Sequence, residues 1–245
     1  CPSYMATRDE RDSTRGRANA LRNALAGRIP VEELFAPEMN EVLDLCLGCK
    51  ACSSECPSSV DMARIKAEYL VHYYRHNGLP LFNRLMGMLP ELNALLFRHA
   101  PRLVPALNAA LRSSPVRKAQ RLIGVHPERT LPTYATRPLE EEVIDDLNPD
   151  LIRFHDTWVN FNEPGIGRAA LRVLRAAGYR VALARGRKCC GRPLLTGGQA
   201  DKARAWVDHN VALLAAWVQA GIPIVGIEPS CILTLRDEYP ALASD

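Results

Sequence analysis

The chain has 245 residues, 47% hydrophobic and 24% charged, which is enough length for one to two domains and the makeup of a folded globular protein. That makeup excludes disordered, collagenous and coiled-coil readings, and the prolines and charges of residues 79–112 exclude a membrane span there. A net charge of +4 is too mild to mark a nucleic-acid binder, and no nucleic-acid partner is expected.

The chain opens on Cys1-Pro2-Ser3 with no initiator Met, so it reads as a fragment truncated at its N-terminus. Ser13 or Thr14 caps a helix running from Arg17 to Ala26, which Gly27 and Pro30 stop. Cys46, Cys49, Cys52 and Cys56, followed by Pro57, then reproduce the C-x2-C-x2-C-x3-C-P spacing that holds [4Fe–4S] clusters in bacterial ferredoxins. Two-residue gaps let three thiolates reach three corners of one cubane, while the longer gap and the proline steer the fourth away. In two-cluster ferredoxins that fourth cysteine serves the other cluster. Cys1-Pro2-Ser3 repeats Cys56-Pro57-Ser58, so Cys1 is expected to join Cys46, Cys49 and Cys52, with Cys56 left to a second, incomplete set. Arg8, Arg11, Arg15 and Arg17 are candidates to offset the charge of a thiolate-bound cluster.

Val60, Met62, Ile65, Tyr69, Leu70 and Tyr73 mark one face of a helix that ends at Gly78. This closes a first module, residues 1–78. Residues 79–149 read as a connector: several short helices interrupted at Pro90, Pro101, Pro105 and Pro115, then an acidic, proline-rich linker over 127–149. Between residues 71 and 129 there are nine Arg or Lys against two acids, a basic stretch suited to a solvated face, an acidic partner or an anionic membrane surface.

Residues 150–245 change character. Leu151–His155, Tyr179–Leu183 and Ile222–Ile227 are strand candidates, separated by helices over 166–177 and 203–218, which implies a short parallel sheet. Ligands of open parallel sheets bind beyond the carboxyl ends of the strands. His155, Asp156 and Thr157 fall at the first such end, Cys189-Cys190-Gly191 at the second, and Glu228 with Cys231 at the third. The expected class is α+β overall, a helical ferredoxin-like module followed by an α/β domain.

Residues 1–70 resemble the ferredoxin-like module, and residues 151–240 the cysteine-rich CCG domain, of the group containing the C subunit of glycerol-3-phosphate dehydrogenase, the glycolate oxidase iron-sulfur subunit and heterodisulfide reductase. The CCG spacing is kept, but Thr157 and Glu228 stand where the family motif has cysteines. The resemblance therefore leaves open a zinc or second iron-sulfur site on Cys189, Cys190, Cys231 and Glu228, or a metal-free interface. The stretches Cys1-Pro-Ser-Tyr-Met-Ala-Thr-Arg, Ser13-Thr-Arg-Gly-Arg-Ala-Asn and Asp156-Thr-Trp-Val-Asn are similar to the C-terminal region of FAD-linked D-lactate and D-2-hydroxyglutarate dehydrogenases. That resemblance implies an FAD-linked oxidase domain before Cys1, in the same polypeptide or another subunit, and a further CCG-like piece after Asp245. It implies electron transfer from FAD through the cluster to a quinone or carrier protein, in the cytoplasm or peripherally on the cytoplasmic membrane. No substrate oxidation is expected from this chain alone. The rival readings are a heterodisulfide-reductase-like cysteine redox site and a structural docking module.

Overall fold

The computed structural model describes residues 1–244, which divide into two compact units: residues 1–83 with 194–200, and residues 84–193 with 201 onward.

In the first unit, α1 (Pro2–Thr7) begins with proline in its first turn and ends where Arg8 turns left-handed. A 3-10 turn (Glu10–Asp12) leads to α2 (Thr14–Leu25), whose Ser13 cap accepts the Gly16 N–H at 2.9 Å. Gly16 is required by packing: a Cβ there would stand 2.1 Å from the Glu10 carbonyl oxygen. Next come α3 (Pro37–Asp44), the short α4 (Ala51–Glu55) and α5 (Met62–Asn77). Asp61 caps α5 by accepting the N–H groups of Ala63 and Arg64, and Gly78 ends it with φ 86°. Leu21, Ala24, Met39, Leu43, Met62, Tyr69 and Leu70 form the core, with Cys46 and Cys52 packed against it. Each large apolar side chain buried there contributes roughly 1.5–3 kcal/mol. Residues 194–200 lie on α5, where Gly198 (φ +70°) leaves no room for a Cβ beside Tyr74 and Leu70.

α6 (Leu81–His99) runs unbroken through Pro90, correcting the expectation of an interruption there. Proline costs the helix one hydrogen bond and a ring clash, of order 3 kcal/mol. Leu- and Met-rich flanks, and burial of Gly87, Asn93 and Phe97 on one face, offset it. The other prolines do fall at helix starts: Pro101 opens a 3-10 turn, and Pro105 and Pro115 lie in the first turns of α7 (Val104–Arg112) and α8 (Ser114–Ala119). Phe97 stacks on Phe161 with centroids 5.3 Å apart, and Tyr134 meets it edge-on.

The sheet has the order β2-β1-β3 with both pairings parallel: β1 (Leu151–Arg153) between β2 (Val181–Leu183) and β3 (Ile224–Val225). It is surrounded in sequence by α9 (Leu139–Glu142), α10 (Thr157–Phe161), α11 (Pro164–Ala176), α12 (Arg192–Thr196), α13 (Ala200–Gln219), α14 (Pro229–Asp237) and α15 (Tyr239–Leu242). The α+β class and the short parallel sheet are therefore as expected. Leu151, Leu171, Val181 and Leu183 form the core at the sheet.

The acidic stretch before β1 is tied along the edge strand. Asp145 accepts the Leu183 N–H at 2.9 Å and Asp146 the Val181 N–H at 2.8 Å, so side-chain oxygens satisfy donors that an edge strand would leave open. Leu139 is fully buried, and a Cβ on Gly167 would lie 2.5 Å from it. Among the described residues, no helix is long and apolar enough to cross a membrane.

Candidate functional site

The loop from Cys46 to Cys52 folds back on the start of the chain. Gly48 (φ 63°) and Lys50 (φ 61°) both turn left-handed, compacting the loop before α4. Cys1, Cys46, Cys49 and Cys52 line one cavity with Arg17, Lys50 and Met62, whereas Cys56 lies outside that lining. Four cysteines drawn from two separate stretches of sequence thus face one space.

The donors around these sulfurs are specific. The buried Arg17 guanidinium donates from Nε to the Val42 carbonyl at 3.0 Å and from Nη1 to Cys1 Sγ at 3.4 Å, while its Nη2 is buried with no partner. The Met62 N–H donates to Cys52 Sγ at 3.4 Å. Lys66 donates to the carbonyls of Asp44 and Cys46 at 2.8 and 2.9 Å, and burial pushes its pKa down. A buried guanidinium with a spare donor beside four thiols is the environment of an anionic group. The residues present therefore fit a thiolate-bound [4Fe–4S] cluster, whose core sulfides accept N–H bonds and whose irons each take one thiolate. Among the described residues no three His, Cys, Asp or Glu side chains are grouped to hold a single metal ion. Cys56 sits apart, its pKa lowered by the N–H of Val60 first and then of Ser58 and Ser59.

Of the four arginines expected to offset cluster charge, Arg17 is placed to do so. Arg15 instead pairs with Glu10 at the surface, at 2.7 Å. Arg17 was legible in principle, since Arg17, Leu21 and Ala24 share the buried face of α2 at i, i+4, i+7.

At the carboxyl end of the sheet the three expected groups converge in part. Cys190 Sγ donates to Cys231 Sγ at 3.1 Å. Cys189 is buried beside the Thr157 hydroxyl, which has no hydrogen-bond partner of full geometry. The neighbouring Cys190 and burial push the Cys189 thiol far up. The contact with Cys189 lowers the Cys190 pKa, but the Cys231 contact and burial outweigh it and push Cys190 up to about 12. Both are therefore neutral thiols as they stand. Glu228 caps α14, its Oε1 accepting the Ser230 N–H and hydroxyl at 3.1 and 2.6 Å. Gly191, with φ +91°, carries the turn after the pair.

Two groups here carried no motif. Asn210, fully buried on α13, accepts the Lys188 N–H at 2.8 Å and donates to the Lys188 and Cys189 carbonyls and to the Tyr239 hydroxyl. It lies on the α13 face of Ala203, Trp206, Val207 and Leu214, and a polar residue on an apolar face was the available signal. His155 pairs with Glu140, Nε2 to Oε2 3.5 Å. Burial pushes the His155 pKa down, and the hydrogen bond from His155 holds Glu140 down at about 2.

Comparison with known proteins matches residues 1–60 to the family described as 4Fe-4S dicluster domain and residues 152–236 to the family described as Cysteine-rich domain. The chain is 33% identical over 144 residues to the C subunit of anaerobic glycerol-3-phosphate dehydrogenase of Escherichia coli (strain K12), covering 56% of this chain and 36% of that protein. It is 24% identical over 282 residues to D-2-hydroxyglutarate dehydrogenase of Pseudomonas putida, covering 98% of this chain and 28% of that protein. With the probable glycolate oxidase iron-sulfur subunit of Bacillus subtilis the identity is 24%, covering 88% and 51%. The chain thus spans between about a quarter and a half of the length of these relatives. No solved structure matches.

Proposed function

We propose that this chain is the iron-sulfur electron-transfer portion of a flavin-dependent 2-hydroxy acid dehydrogenase, receiving electrons from FAD held elsewhere in the same polypeptide or a partner subunit. The observation that carries the reading is the cavity shared by Cys1, Cys46, Cys49, Cys52 and the buried Arg17. A [4Fe–4S] cluster bound there supplies one-electron transfer. Cys1, Cys46, Cys49 and Cys52 hold it, and Cys56 belongs to a second set. Arg17 donates to the Cys1 sulfur and Met62 to the Cys52 sulfur, drawing negative charge off the thiolates and favouring the reduced state. Names of the relatives, among them two dehydrogenases and an oxidase iron-sulfur subunit, support the oxidoreductase class. A quinone or carrier protein is the proposed acceptor. Peripheral attachment to an anionic membrane is supported by the basic stretch 71–129 and by the exposed Leu81, Met88, Leu92 and Leu95 of α6.

The test is a pair of variants in the anaerobically purified chain. Cys49→Ser is expected to abolish the broad visible absorption and most of the iron and acid-labile sulfide, while Cys56→Ser keeps most of both. Equal loss in the two variants would move the cluster onto Cys46, Cys49, Cys52 and Cys56.

A further inference from the structure

We propose that Cys190 and Cys231 form a redox-active dithiol that closes to a disulfide by exchange with a low-molecular-weight disulfide. Their sulfurs are 3.1 Å apart, the one on the loop after β2 and the other in the first turn of α14. Two thiolates on one tetrahedral zinc, with bonds of about 2.3 Å, stand roughly 3.8 Å apart, so this contact is too short for a shared ion and within about 1 Å of a covalent bond. Of the other groups at this end of the sheet, Cys189 is a buried thiol whose pKa Cys190 and burial push up. Glu228 spends an oxygen on capping Ser230, and Thr157 offers a neutral hydroxyl. The 3.1 Å sulfur contact does not fit a metal ion shared by Cys190 and Cys231, and it fits thiol chemistry between them.

The partner choice is set by geometry. Adjacent Cys189 and Cys190 have Cα atoms about 3.8 Å apart across a trans peptide, shorter than the 4.4–6.8 Å that disulfides span. Cys231, 41 residues away in sequence, has no such restriction. Cys231 is half-buried and Cys190 is buried, which assigns the order of events. The Cys231 thiolate attacks one sulfur of the small disulfide, whose S–S bond breaks and releases one small thiol. Cys190 then attacks Cys231 Sγ, breaking the mixed disulfide, and its proton passes to the departing thiolate, which leaves as the second small thiol. Two protein thiols are oxidised and one small disulfide is reduced to two thiols, so electrons and protons balance. Asn210 holds the Lys188–Cys189 backbone, keeping Cys190 against α14 in both states.

The experiment incubates the cluster-loaded chain anaerobically in a graded series of reduced and oxidised glutathione. Each sample is quenched by alkylation and digested, and the cysteine peptides are read by mass spectrometry. A Cys190–Cys231 linked peptide is expected to replace both alkylated peptides together, with Cys189 still alkylated and the visible absorption unchanged. The Cys189→Ser variant is expected to form the same link, and Cys190→Ser to stop at a mixed disulfide on Cys231. The proposal is overturned if Cys190 and Cys231 stay alkylatable across the whole series, if the wild type stops at the mixed disulfide, or if both resist alkylation until a chelator removes a metal. Loss of visible absorption on its own would count against the cluster assignment, so the two readings fail separately.

Discussion

The two cysteine regions solve opposite problems with the same side chain. Around Cys1, Cys46, Cys49 and Cys52 the sulfurs line open space, and a buried guanidinium with a spare N–H faces the same space. Around the second group the sulfurs are packed in: Cys189 and Cys190 are buried with their pKa values pushed up, and Cys190 touches the half-buried Cys231. Sulfurs that line a shared space beside an unspent donor make a cradle for an anionic group. Sulfurs that touch make a redox couple or packing. Counting cysteines in a motif does not separate the two cases, whereas the donors around them do.

The strongest way to break this contrast is to remove the iron. Stripping it with a chelator under anaerobic reducing conditions is expected to destabilise the first unit by about 3 kcal/mol or more, since a ligand held at 100 times its Kd or above contributes at least that much. Hydrogen exchange should show amides around Leu43 and Met62 losing protection while β1, β2 and β3 keep theirs. Loss of protection in the sheet to the same degree would mean that the second cysteine region also depends on bound metal.

A smaller effect sharpens the other side. Asn210→Ala leaves the Lys188 N–H and the Lys188 and Cys189 carbonyls buried without their side-chain partner, which costs about 2 kcal/mol. Its expected signature is a lower midpoint in urea for the second unit and faster alkylation of Cys190, with unchanged visible absorption. A change in absorption would tie Asn210 to the cluster-bearing region and undo the separation.

Much of the first region could be read from spacing alone, because a cluster-binding loop is local: the C-x2-C-x2-C run, the Ser13 cap and the stop at Gly78 need no long-range information. The sheet was legible for the same reason, each strand being a short apolar run between helical patterns that end at Gly178 and Gly221. What stayed hidden depends on contacts far apart in sequence. Asp145 and Asp146 read as linker because their partners, the N–H groups of β2, lie more than thirty residues on. Glu228 read as a candidate ligand because its capping of α14, by accepting the Ser230 N–H, is a matter of side-chain direction. Pro90 read as a break because local propensity carries no information about which face of α6 is buried.

The smallest effect concerns acid, and it too belongs to the second region. His155 is 1% exposed with Nδ1 unpartnered, and burial, with help from Arg187 and Arg153, lowers its pKa although Glu140 works the other way. The folded chain therefore binds this proton less readily than the unfolded chain, whose histidine titrates at 6.5. Stability from this group is fully present above pH 6.5 and drains away as pH falls below it, by at most about 1.4 kcal/mol per pH unit. Glu140, held at about 2 by the His155 hydrogen bond against 4.5 when unfolded, adds a second loss that begins only below pH 4.5. Of this pair, only the histidine acts between pH 7 and 5. Thermal melts at pH 7, 6 and 5 should show the wild type losing more stability than His155→Gln, which has no proton to take up. Parallel losses would mean that His155 is charged in the folded state and paired with Glu140 as an ion pair, and the region would then carry a fixed charge beside its neutral thiols.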